Sequence, residues 1–321
     1  PVEITDSSAM KHILHKLAAA AATGTLAIAM VSCGSKATTS QDKMLIAGSF
    51  WDTIAVVNRS AGDQIEWKYG LPAGSECNSA EIIPGGDVLI SYKKGARVIK
   101  RDAAATIVWD FTDVADTAEL QTATRLPDGG YLLAICDTPA RFVELDSTGT
   151  QVRKEVRYDL GIRPAHAQFR RVSKAANGNY LIPVMSTGKV LEIKDSTLVK
   201  EYNVGGTPFA VQELADGNLF VALGDGHCAV EVSRADGNVV NRIDSIPGVP
   251  LHFVAQSLRL ENGNTLISNW QGHLPAEQQT AAQLVEIDPT GAVVWSYDGR
   301  GGKPVKGGGV DFVSAFYPFA E

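Results

Sequence analysis

The chain is poor in the residues that most often announce a chemistry. Four cysteines are spread over 321 residues, none adjacent to another and none at a zinc-ligand spacing, so neither a Cys-rich metal site nor a disulfide scaffold follows from them. Beyond Cys33, Cys136 and Cys228 fall in or beside apolar strands and read as small buried hydrophobes, while a Cys77 disulfide to one of them stays open for an oxidising compartment. Basic residues are outnumbered: 29 Lys and Arg face 36 Asp and Glu, the net charge is −7, and no basic cluster interrupts that balance. A phosphate-neutralising nucleic-acid surface is thereby excluded. No GxSxG, HExxH, P-loop or strand-flanked GxGxxG occurs, so hydrolase, zincin and nucleotide-binding readings lack their usual marks.

What the chain does have is glycine, 31 of them, and a motif that uses them. A turn rich in Gly, Asp and Asn followed at once by an apolar strand reads PGGDVLIS from Pro84, PDGGYLLA from Pro127, ANGNYLIP from Ala176, ADGNLFVA from Ala215 and ENGNTLIS from Glu261. A further strand of the same kind, MLIAGS, starts at Met44 without its turn. Gly, Asn and Asp tolerate the positive φ of tight hairpins, and the flanking residues are β-branched or aromatic, so each motif predicts a hairpin. The strands recur about every 40 to 50 residues, the period of stacked or radial repeats. Each is followed by a second strand pair, as in FVELDSTGTQVRKEV from Phe142 and LVEIDPTGAVVWSY from Leu284. Four antiparallel strands per period make a propeller blade, and the periods predict an all-β, six-bladed β-propeller over residues 44–321. The last segment, VSAFYPF from Val313, resembles the strand that precedes each turn, as in SAEIIP and TATRLP. It is therefore expected to pair with the Met44 strand and close the ring.

The N-terminal segment reads as an address. From Met10, MKHILHKLAAAAATGTLAIAMVSCGS combines a basic start at Lys11 and Lys16, an apolar run too Ala-rich for a convincing span, and Cys33 preceded by small Ser32. This resembles a bacterial lipoprotein signal. Residues 1–32 are then a signal peptide, with 1–9 upstream read-through, and 33–43 a lipidated tether. Lipidation at Cys33, with no acidic cluster behind it, favours the periplasmic face of the outer membrane over the cell surface.

In a propeller the first strand of each blade lines the central channel, so polar residues just before those strands are the candidate site. They are Glu76, Asn78, Glu119, Gln121, Arg163, His166, Gln168, His252, Gln256 and Asp311. His166 and His252 are the candidate catalytic pair, because an imidazole titrates near neutrality and serves as acid or base. Glu76, Glu119 and Asp311 could join them in an oxygen-rich metal site, and Arg163 suits a substrate carboxylate. Trp270, beside a long insertion, offers a face for a sugar.

IEWKYG, IVWDFT and VVWSYD each place a tryptophan two residues before an aromatic, and with EIDPTGAVVW they resemble the repeats of PQQ-like and arylsulfotransferase-like β-propellers. The resemblance implies tryptophans packed between blades. It implies neither cofactor nor activity outright: quinoprotein members use eight blades and a vicinal cysteine pair, which this chain lacks, and an arylsulfotransferase would need a catalytic histidine, a role His166 or His252 could fill only by analogy. The expectation is a lipid-anchored, monomeric envelope propeller that binds a small polar ligand, a glycan or a protein partner at the channel mouth. No organic cofactor is expected, a channel-bound divalent cation is allowed, and membrane contact is through the lipid alone. The alternative is a carbohydrate-active lyase or hydrolase using the mouth histidines.

Overall fold

The computed structural model describes residues 41–48, 53–72, 75–299 and 312–321. Cys33 and Asp311 lie outside the described residues. The chain forms six four-stranded antiparallel sheets, each a blade. Blade 1 is ordered β24 (Val313–Phe319), β1 (Lys43–Gly48), β2 (Thr53–Asn58), β3 (Gln64–Gly70), so β24, last in chain order, is its innermost member and hydrogen-bonds β1. Lys43 lies opposite Phe319 and Ala47 opposite Ala315. The expected clasp between the two ends is thus present, and the ring has the six blades that the repeat predicts.

The turn motifs are structurally equivalent. In each, the residue before the turn accepts from the glycine and donates to the residue after it: Gly129 N to Leu126 O at 2.9 Å and Leu126 N to Gly130 O at 2.8 Å, with the same pair at Ala175, Leu214 and Leu260. Gly86, Gly129, Gly178, Gly217 and Gly263 sit at φ 88, 82, 84, 87 and 87°. A side chain is strained in that left-handed region, which is why the motif requires glycine.

Apolar burial occurs between blades rather than within them. Blade 3 contributes Leu132, Ala134 and Phe142 and blade 4 contributes Tyr180, Ile182 and Ile193 to one shared core, and equivalent cores fill the other junctions. Each such Leu, Ile or Phe stabilises the ring by about 1.5–3 kcal/mol. The three described cysteines are free and buried in these layers.

A second device repeats at the rim. The third and fourth strands of every blade slip by one residue, at Val56/Val57, Val98/Ile99, Glu144/Leu145, Glu192/Ile193, Glu231/Val232 and Glu286/Ile287. Such a bulge increases local twist and re-aims a side chain. In five of the six blades the residue opposite it reaches the following blade: Trp67 Nε1 donates to Asp102 O, Trp109 Nε1 to Gly149 O and Trp295 Nε1 to Asp63 Oδ1, each at 3.1 Å. Lysine does the same in blades 3 and 4, Lys154 reaching Asp195 at 2.6 Å and Lys200 the carbonyl of Ala235 at 2.9 Å, while blade 5 has Asn241 at this place. The tryptophans expected between blades are therefore latches, with a packing face and a donating edge.

Candidate functional site

Inner strands all begin at one face of the ring, and a cavity of about 360 Å³ opens there. Its lining includes Glu76, His166, Arg170, Met185, Thr207, Phe209, Asp225, Phe253, Trp270, His273 and Ser314. Of the sequence candidates, Glu76, His166 and Trp270 line it.

Blade 4 builds the charged wall. Its inner strand β12 is cut to Ser173–Lys174, and a tight turn, Val172 N to Arg170 O at 3.1 Å, replaces the ladder before it. A 3-10 turn at Ala165–Ala167 carries His166 to the rim. The kink brings two consecutive arginines against one ring, Arg170 and Arg171 lying 5.4 and 5.7 Å from the centre of Phe209. Arg170 Nη1 donates to the carbonyls of His166 and Phe169, both at 3.0 Å, and Nη2 meets the imidazole of His166 at 2.9 Å. Burial lowers both guanidinium pKa values, that of Arg171 to about 10. Arg171 Nη1 donates to Ala255 O at 3.0 Å.

Behind His166, Glu119 accepts its Nδ1 at 2.9 Å, Lys93 Nζ at 2.8 Å and Gln121 Nε2 at 2.9 Å. Burial opposes this carboxylate, but the hydrogen bonds from His166 and Lys93 outweigh it and hold its pKa at about 2. Glu119 and Gln121 thus orient the imidazole without lining the cavity.

The opposite wall is aromatic. Phe253 meets Phe209 edge-on at 5.0 Å and Trp270 at 5.4 Å, and His273 from the following insertion stands on Trp270 at 4.5 Å. This cluster is separate from the inter-blade cores. Gly272 passes so close to the indole that a Cβ there would overlap Trp270 Cζ2.

Other sequence candidates do different work. Asn78 Nδ2 donates to Leu120 O at 2.8 Å, and Gln168 clamps Asp137 O and Ile162 O at 2.7 and 2.8 Å. Gln256 grips the closing strand, donating to Phe316 O at 3.1 Å and accepting from Phe316 N at 3.0 Å. Arg163 is exposed beside Asp159 at 3.5 Å. His252 is outside the cavity lining: its carbonyl meets His227 Nδ1, and burial and the charge of His227 lower its pKa. Arg170, Phe209, Asp225, Phe253 and His273 were not singled out by their sequence context. The adjacent arginines in an inner strand, and histidine within the insertion, were the signals available.

No group of three or more His, Cys, Asp or Glu residues among the described residues is arranged to hold a metal ion. No helix among the described residues is long and apolar enough to cross a membrane.

Six blades round an axis define a β-propeller, with a cavity lined by aromatic and charged side chains at the face where the inner strands begin. The chain belongs to the Mala_s_1-like family, described as Mal s 1 allergenic protein-like, whose sequence profile matches residues 44–292. A protein of unknown function from Bacteroides caccae is similar along nearly its whole length, with 37% identity, 87% of this chain and 99% of that chain covered, and a TM-score of 0.79. Catalytically inactive virginiamycin B lyase from Staphylococcus aureus, a histidine-to-alanine form solved with quinupristin, shares the fold at 12% identity, 81% and 85% coverage and a TM-score of 0.53. A chain of the nidogen/laminin complex does so at 12% identity, 86% and 98% coverage and a TM-score of 0.58. No curated protein matches the sequence.

Proposed function

We propose that this propeller binds a small molecule with an apolar body in the mouth cavity, its head group held at the polar wall. The observation that carries this reading is the pairing, in about 360 Å³, of Phe209, Phe253 and Trp270 with Glu76, Arg170, Asp225 and His166. That is the size and composition of a ligand pocket, apolar surface with a few convergent polar groups. A glycan stacked on Trp270 is less well supported, because the indole is only 7% exposed and already packs in T-shaped contact with His273 and Phe253. Filling the space tests the proposal: Met185→Trp should abolish ligand-induced stabilisation in a thermal-shift screen of small aromatic and aliphatic compounds, sugars and divalent ions, while leaving the unliganded Tm within a few degrees. Stabilisation that survives the substitution would place binding elsewhere.

A second reading, a lyase or hydrolase, rests on the imidazole–carboxylate contact of His166 and Glu119 at 2.9 Å beside the cavity. In that scheme His273, not His252, supplies the second imidazole, because it shares the lining with His166. Turnover of glycosides, lactones or aryl sulfates that falls at least tenfold in His166→Ala would favour it. The kinship to PQQ-like and arylsulfotransferase-like repeats belongs to the same proposal.

Anchoring through Cys33 at the periplasmic face of the outer membrane completes the reading. Its support, besides the signal-like sequence, is that Gln41 and Asp42 line one cavity with Glu261 and Asn262, whose turn lies at the far end of an inner strand from the mouth. A tether there leaves the cavity facing away from the lipid. Cys33→Ala is expected to move the protein from the membrane to the soluble periplasmic fraction, and a mutant that stays with the membrane would overturn the anchor.

A further inference from the structure

Charges lining the mouth cavity differ in what they have left to offer a ligand, and this selects the head group. Arg170 is already engaged, its Nη1 on the carbonyls of His166 and Phe169 and its Nη2 on the imidazole of His166, with its plane near Phe209. Arg171 lies outside the lining and is held by Ala255 O. The carboxylates are in the reverse condition. Glu76 lines the cavity, partly buried, and makes no hydrogen bond or ion pair with any described residue. Among the described residues Asp225 has only loose contacts, Thr207 Oγ1 at 3.4 Å and His273 Nδ1 at 3.9 Å.

Beside these two acceptors stand Phe253 and Trp270, whose ring faces carry partial negative charge. A cation entering here is drawn by the carboxylates and by the rings together. An anion would meet only the N–H groups that the contacts of Arg170 to His166 and Phe169 leave over, and would face both carboxylates, whereas a cation has to outweigh the charge of Arg170 with Glu76, Asp225 and the two rings.

We propose that the cavity selects an organic cation, a protonated amine or quaternary ammonium on an apolar body, with Glu76 as its counter-charge. This rests on the small-molecule reading above and narrows it to one ligand class. Glu76 feels the charges of Arg170 and Arg171 but makes no hydrogen bond with any described residue, so a ligand that donates to it gains a contact the described residues leave open.

Calorimetric titration with phenethylamine, 2-phenylethanol and phenylacetate, which share a ring and differ in head group, tests the assignment. Phenethylamine is expected to bind about tenfold more tightly than 2-phenylethanol, the worth of one charge-assisted contact, with phenylacetate weakest. Glu76→Gln should erase the amine's advantage and leave the affinity for the alcohol within about twofold; its unchanged Tm shows that the variant folds. Phenylacetate binding most tightly, or an amine-to-alcohol ratio that survives Glu76→Gln, overturns the proposal. If the alcohol or the acid binds at least as tightly as the amine and Met185→Trp abolishes that binding, the cavity reading stands while the cation falls. No binding by any of the three overturns both.

Discussion

Two glutamates, Glu119 buried and Glu81 half-buried, give the protein opposite responses to pH. Glu119 is held at about 2, below the ordinary carboxylate value, so its contribution to stability is complete above about pH 4.5 and is lost as pH falls towards 2. Glu81, accepting from Thr124 Oγ1 at 2.8 Å and Arg125 N at 2.5 Å, is pushed up to about 7 by burial, so the folded state prefers it protonated and stability declines as pH rises from about 4.5 to 7. Urea titrations should show Glu119→Gln losing about 1–3 kcal/mol at pH 7, with the deficit closing as pH falls below about 4.5. Glu81→Gln should flatten the decline between about pH 4.5 and 7, and a slope unchanged from wild type would exclude Glu81 as its source. The same residues show why the site was only partly legible in the sequence. Position before an inner strand predicts which residues approach the channel mouth, and Glu76 and His166 do line the cavity. It does not predict whether an amide turns to the cavity or to its neighbour's backbone, and Gln168 and Gln256 turn to backbone. Arg170 reaches the cavity only because β12 kinks, and nothing in the local pattern marks that kink.

At the scale of the element, the hairpins were legible because their turns need glycine at positive φ, a requirement that is local and chemical. The rim latch was legible only as a tryptophan spacing. Its equivalence to Lys154 and Lys200 appears only once the bulges align the strands, since both are solvent-exposed residue types with no apolar signature. A latch tryptophan contributes through its ring and its N–H separately. Trp109 stacks on Tyr131 of the next blade at 5.0 Å and donates to Gly149 O. Trp109→Phe keeps the stacking and should cost about 1 kcal/mol, whereas Trp109→Ala should cost about 3 kcal/mol, both read from denaturant midpoints at constant m. Equal costs would mean that the ring contributes nothing to the junction.

At the scale of the whole molecule, six shared cores make each blade depend on two neighbours, and blade 1 depends on both ends of the chain. Removing residues 313–321 should abolish the single cooperative thermal transition, because β1 loses its inner partner and the cores on either side of blade 1 lose Ala315, Phe316 and Phe319. Adding the 313–321 peptide in trans should restore part of it, and a truncated chain that melts like the full one would show that closure contributes nothing. The innermost strand of blade 1 comes last in chain order among the described strands. Until it has been made, the blades before it leave the apolar flanks of blade 1 uncovered, so the ring cannot seal while β24 is missing.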